Sequence, residues 1–229
     1  MKDFLKGRKL INWLGLLGVV SFLSYLAAVI FSPLAYPGYD WLSQAVSDLS
    51  ADNAPSLKLW NSLSALYGAN GLIAMVLACL LLSEKRYNKC LSAGIYVFTV
   101  MNFVSSIGYT MFPLTEAGNV MNFQNIMHVY VVTVLVVVLS IVGLSLCIVG
   151  GLKKRGDRLL GIGATICLSL MMVGAIASNL VPKEVFGLFE RFSTLSATLY
   201  VAIVGVFVFK SESVKKEEVP STIKPVEKE

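Results

Sequence analysis

Side chains that carry chemistry are what this chain has least of. One histidine, His128, and four cysteines occur in 229 residues. A single imidazole excludes a b-type haem held between two axial histidines, and equally a zinc centre built on three. Cys79, Cys90, Cys147 and Cys167 show no zinc or redox spacing. All four fall in the half, or the loops, read below as cytoplasmic, so no disulfide framework is expected. Charge is scarce too: 14% of residues are charged against 56% hydrophobic, and the mean hydropathy is +0.73. That balance excludes a soluble domain of this length. The net charge of +5 does not argue for nucleic acid, since the cations stand in separate short blocks. No cofactor or metal is called for, and the partner implied by composition is the lipid bilayer.

What is present is six apolar runs, near 12–32, 59–82, 91–112, 126–150, 159–181 and 191–209. Each approaches the roughly 20 residues that a helix needs to cross about 30 Å of hydrocarbon. Unpaired backbone groups are too costly in lipid for an open structure. The expected fold is therefore all-α, a polytopic bundle of six transmembrane helices built as three successive hairpins. The first run follows "MKDFLKGRK" and is too long for a signal-peptide core, which makes it an uncleaved anchor. Residues 1–11 read as a basic arm, 12–210 as the membrane domain, and 211–229, rich in Lys, Glu and Pro, as a disordered tail. Sixteen of the 19 lysines and arginines fall on the side of both termini, against Lys58, Lys183 and Arg191 on the other. That asymmetry predicts a multi-pass protein of the plasma membrane with cytoplasmic N and C termini. Each outward-going helix is expected to stop at a proline: Pro33, Pro113 or Pro182.

The remaining polar residues gather at the opposite, outer end. In "YPGYDWLSQAVSDLSA", residues 36–51, the side chains Asp40, Ser43, Gln44, Ser47 and Asp48 recur at i, i+3, i+4, i+7 and i+8, the spacing of one helical face. They predict a short amphipathic outer helix between the first two spans, N-capped by Asp40 after the Pro37-Gly38 turn. Its polar stripe is either a solvated face or the wall of a site. A second stripe, Asn102, Ser105, Ser106 and Tyr109, lies in the outer half of the third span and reads as interhelical hydrogen bonding or as part of the same site. His128 follows Gln124 and Asn125 at the start of the fourth span. Glu190 and Arg191 open the sixth, where a bundle-facing charge needs a partner; the expected pairs are Arg191 with Asp48 and Glu190 with His128.

In this order "SQAVSDLSA", "MFPLTEAGN", His128 and "GLFERFSTLS" resemble the pattern of an uncharacterised bacterial integral-membrane family, domain of unknown function 998, over roughly residues 12–210. The acidic residue behind the Phe-Pro pair stands at Glu116 in this chain. The resemblance implies a six-helix bundle without assigned activity, with Ser47, Asp48, His128, Glu190 and Arg191 as its shared feature.

Three kinds of function fit these residues. The first is binding: an outward cleft lined by Asp40, Ser43, Ser47, Asp48, Asn102, Tyr109, Asn125, His128, Glu190 and Arg191 takes a lipid headgroup, a small amphiphile or a membrane partner between apolar walls. The second is an intramembrane hydrolase or lipid-modifying enzyme, with Ser47 as nucleophile or water-positioner and Asp48 and His128 as the acid–base pair. The third is a small-molecule transporter. Against it stands the lack of any Asp, Glu, Lys or Arg near the middle of a span, where ion and proton pathways place them.

Overall fold

A chain in hydrocarbon must satisfy its amides within each segment, and this one does so six times. The structure, a computed structural model, describes residues 8–117 and 121–211. Its six helices are long and apolar enough to cross a bilayer: α1 (Leu10–Ala35), α2 (Leu57–Glu84), α3 (Lys89–Met111), α4 (Phe123–Gly151), α5 (Arg158–Leu180) and α6 (Lys183–Lys210). The first seven residues of the basic arm, and the charged tail from residue 212, lie outside the described residues. The closest pairs are α3 with α4 and α5 with α6. Helices α2 to α6 follow one another round a ring that closes between α2 and α6, and α1 lies against those two.

Both ends of the described chain meet on one side, the termini end. Asn12 Nδ2 donates to the carbonyls of Val208 (3.0 Å) and Ser211 (2.7 Å), and Arg8 donates to the Phe209 carbonyl while lying over its ring. These carbonyls lie at the last turn of α6, where helical partners run out, and that of Val208 also accepts the Ser211 amide at 3.3 Å. Small residues let α1 approach α6: a Cβ on Gly15 would sit 2.8 Å from the carbonyl oxygen of Gly205, so only glycine brings the two backbones together there.

The helix ends follow local chemistry. The α-helical turns stop at Phe31, Met111 and Leu180, each two residues before a proline. Phe112 and Val181 leave the helical region ahead of theirs, whereas Ser32 stays helical and Pro33 enters the first turn of a 3-10 helix, Ser32–Ala35. At the termini end, Asn88 and Asp157 cap α3 and α5 by accepting the amides of Cys90 and Leu160.

The connection between α1 and α2 departs from the helix that its polar stripe predicts. Residues 40–44 form one turn, closed by the Gln44 amide donating to the Asp40 carbonyl at 2.8 Å, and regular structure resumes only as a 3-10 helix at Ser47–Ser50. The Asp40 carboxylate accepts the Leu42 amide (3.1 Å) and the Ser43 hydroxyl (2.6 Å), and the Gln44 side chain accepts the Asp40 amide (2.7 Å). Short polar side chains that bind their own main chain favour such turns over continued helix.

One apolar core fills the termini half, from Leu82, Leu91, Leu160 and Val208 up to Met75, Met101 and Met171. A smaller cluster closes the far end, with Ala51, Ala54 and Leu114 packed against Tyr36 and Leu57.

Candidate functional site

The last helix opens with "KEVFGLFER", and these first turns hold the connection between α1 and α2. At Gly187 a Cβ would collide with the carbonyl oxygens of Gln44 and Trp41, so glycine admits the loop. Leu188 then donates its amide to the Leu42 carbonyl at 3.1 Å. The Arg191 side chain is only 8% exposed. Its Nη1 donates to the carbonyls of Trp41 (2.8 Å), Gln44 (3.1 Å) and Gly187 (2.6 Å), and its Nη2 to the Tyr39 hydroxyl (2.6 Å). Tyr39 in turn donates to the Ala45 carbonyl at 2.8 Å. Glu190 accepts the Val46 amide at 3.1 Å through Oε2.

Arg191 and Glu190 thus both hold the first connection, chiefly through its main chain. Unwinding at 41–46 leaves backbone groups without helical partners, and charged side chains satisfy these most strongly. Burial pushes the Tyr39 phenol up to about 12, against the downward pull of Arg191. Asp40, out in solvent, is held below its usual range by the Ser43 hydroxyl and the Leu42 amide.

A second fastening lies between α3 and α4. His128 is buried, with Nδ1 at 2.7 Å from the Phe112 carbonyl and its ring 4.7 Å from that of Tyr109. A carbonyl only accepts, so Nδ1 carries the proton and Nε2 keeps its lone pair. His128 lies in a seven-residue π-helix, Met127–Thr133, a wide helical form that recurs at functional sites. The Thr133 hydroxyl donates to the His128 carbonyl at 2.8 Å and lies 3.1 Å from the Tyr109 hydroxyl. Asn125 Oδ1 accepts both the amide (2.8 Å) and the hydroxyl (3.0 Å) of Thr115, which fastens the loop after α3.

At this end α1, α4 and α6 still bury side chains such as Ala28, His128 and Arg191, but other stretches do not. None is buried across 57–70 in α2, 102–111 in α3, 133–139 in α4 or 175–180 in α5, although the other halves of the same helices build the core. The side chains that meet here are polar. Tyr25 of α1 meets Thr194 of α6, and its ring lies 4.8 Å from that of Tyr67 and 5.7 Å from that of Trp60. Tyr67 of α2 meets Ser105 of α3, and Glu190 lies within electrostatic range of Tyr25 and Tyr109. Five of the six helices thus contribute to one polar layer. Beside it, Tyr67, Gly68, Gly71, Leu72, Asn102 and Ser106 line a crevice of about 10 Å³, room for roughly one water.

Of the residues singled out in the sequence, Tyr109, His128 and Glu190 come to this layer and its rim, and Asn102 lines the crevice while donating to the Phe98 carbonyl at 2.8 Å. Arg191 and Asn125 hold loops. Asp40 and Ser43 stay on the turn at 40–44. Asp48 is buried in the 3-10 helix within electrostatic range of Tyr39 and Glu190. The Ser47 hydroxyl beside it makes no hydrogen bond to His128 among the described residues. Nor does any group of three His, Cys, Asp or Glu among them lie close enough to hold a metal ion. Sequence reasoning missed Tyr25, Tyr67, Thr133 and Thr194. The available signal was helical spacing inside apolar runs: Ser21 with Tyr25, and Glu190 with Thr194, both at i, i+4.

A family model described as "Protein of unknown function (DUF998)" matches residues 19–207. No curated protein and no solved structure matches the chain.

Proposed function

The chain belongs to the DUF998 family, and from that premise we propose that it is a plasma-membrane binding protein with cytoplasmic termini, which takes the head of a lipid or other small amphiphile into the polar layer at its extracellular end. One observation carries this: the main apolar core stops part-way along the bundle, and above it hydroxyls and a carboxylate from five helices come together beside stretches of α2 and α3 that bury no residue. Polar groups enclosed within hydrocarbon are costly unless partnered. A helix bundle under no demand but stability fills that level with leucine and methionine, as this one does nearer the termini.

An amphiphile matches such a mixture, since ligand pockets combine apolar walls with a few convergent polar groups. On the same half of α3, Val100, Phe103, Val104, Ile107 and Gly108 line an open apolar groove of the character an acyl chain requires. The orientation rests on the asymmetry of lysine and arginine between the two ends. Hydrolysis has no comparable support from a serine–histidine contact, and transport has none from a mid-span charge.

Native mass spectrometry of the protein extracted in mild detergent tests the reading. A lipid adduct present in the wild type and lost in both Ser105→Leu and Thr194→Leu, at unchanged melting temperature, is the expected result. An adduct retained equally by all three proteins overturns it.

A further inference from the structure

Resting on that reading, we infer that the head recognised in the polar layer is an ammonium group. Glu190 supplies the counter-charge. Its Oε2 is occupied by the Val46 amide, whereas Oε1 bonds no described residue and is not sealed within the protein. A second carboxylate, Asp48, lies within electrostatic range of Glu190. Arg191 is the one buried cation at this end among the described residues, and its two terminal nitrogens already serve two loop carbonyls, the Gly187 carbonyl of its own helix and the Tyr39 phenol. Lys58 and Lys183 are exposed. An open carboxylate oxygen beside an engaged guanidinium favours a cation, and an anionic head finds no uncommitted buried donor of positive charge.

The neighbours of Glu190 strengthen the same choice. Tyr25 and Tyr109 lie within its electrostatic range, and Tyr25 packs with Tyr67 and Trp60. Aromatic faces attract ammonium through their quadrupoles, most strongly where water is excluded.

The same ammonium chemistry comes from a membrane amphiphile or from a soluble amine, and the test separates them. The full-length protein is placed in phosphatidylglycerol nanodiscs, which contain no competing ammonium. Binding is followed by tryptophan fluorescence for dodecyltrimethylammonium, dodecyl sulfate, dodecyl maltoside and tail-free choline, each below its micelle concentration. Dodecyltrimethylammonium is expected to bind roughly tenfold or more tightly than the sulfate and the maltoside, the scale of one partly desolvated cation contact. Glu190→Gln, which keeps an acceptor for Val46, is expected to remove that preference without lowering the melting temperature. Tyr25→Leu serves as the independent second variant, expected to weaken the ammonium probe more than the maltoside. Choline binding as tightly as the tailed probe supports the ammonium site and assigns a soluble amine; binding only of the tailed probe supports it and assigns an amphiphile. Equal binding of all three tailed probes, unchanged in Glu190→Gln, overturns the ammonium inference while leaving amphiphile binding intact. No binding of any probe overturns both.

Discussion

Arg191 Nη2 and the Tyr39 hydroxyl stand 2.6 Å apart across 152 residues of chain, and this bond, with the carbonyls of Trp41 and Gln44 on the same guanidinium, ties the first connection to the last helix. The tie explains why an unwound segment persists at the mouth of the bundle. It also sets the roof of the polar layer, because Glu190, next in the chain, holds Val46 from the same turn of α6.

Replacing Arg191 by methionine leaves the loop carbonyls without their charged donor, at a cost of about 2–4 kcal/mol. Arg191→Lys retains the charge but not the planar fork, so its melting temperature is expected to fall between those of the wild type and Arg191→Met. Thermal unfolding in detergent measures the order. A lysine variant as stable as the wild type would show that charge alone suffices.

Gly187→Ala is expected to act on the same tie from the other side. A methyl group there meets the carbonyls of Gln44 and Trp41, and such overpacking costs about 1–3 kcal/mol. The effect is local: hydrogen exchange at the Leu188 amide, which pairs with Leu42, is expected to speed up while amides of the core helices stay protected.

Tyr39 makes the tie pH-dependent in a definite direction. Burial raises its phenol to about 12 from 10.0, so the folded protein holds this proton more tightly than the unfolded chain. The resulting stabilisation is complete below pH 10 and is lost as pH rises through 12. Wild type is therefore expected to exceed Tyr39→Phe in melting temperature by a constant margin up to pH 10, and the margin to shrink above it. A margin that widens between pH 10 and 12 would refute the assignment.

The six spans were legible because hydrocarbon leaves few choices: runs predicted at 91–112 and 159–181 meet helices at Lys89–Met111 and Arg158–Leu180. The sixth helix begins at Lys183, eight residues before its apolar run, because Glu190 and Arg191 interrupt hydropathy without interrupting helix geometry. Periodicity misled at 40–48, where Asp40, Ser43 and Gln44 bind their own turn and the spacing is the same for a helix and for a run of turns. That Arg191 needs a partner was readable from its place in the chain. That it would hold loop carbonyls and a phenol was not, since this depends on a segment being irregular. Tyr25 and Tyr67 look like interfacial aromatics in a linear sequence, and only packing turns them toward Thr194 and Ser105.

His128 separates holding the fold from holding a ligand. Its Nδ1–H closes α3 through the Phe112 carbonyl, so nitrogen NMR is expected to find the Nδ1-protonated neutral tautomer near pH 8. His128→Phe leaves that carbonyl without its donor and is expected to lose about 1–3 kcal/mol of stability. Asparagine at this position still carries an N–H within reach of the same carbonyl, so His128→Asn is expected to recover most of that loss, but it places no ring against Tyr109 and no second acceptor at the Nε2 position. Where His128 serves the ligand as well as the loop, the asparagine variant melts near the wild type and yet loses the lipid adduct. Recovery of both would reduce His128 to a fastener and leave the site to Glu190 and the tyrosines.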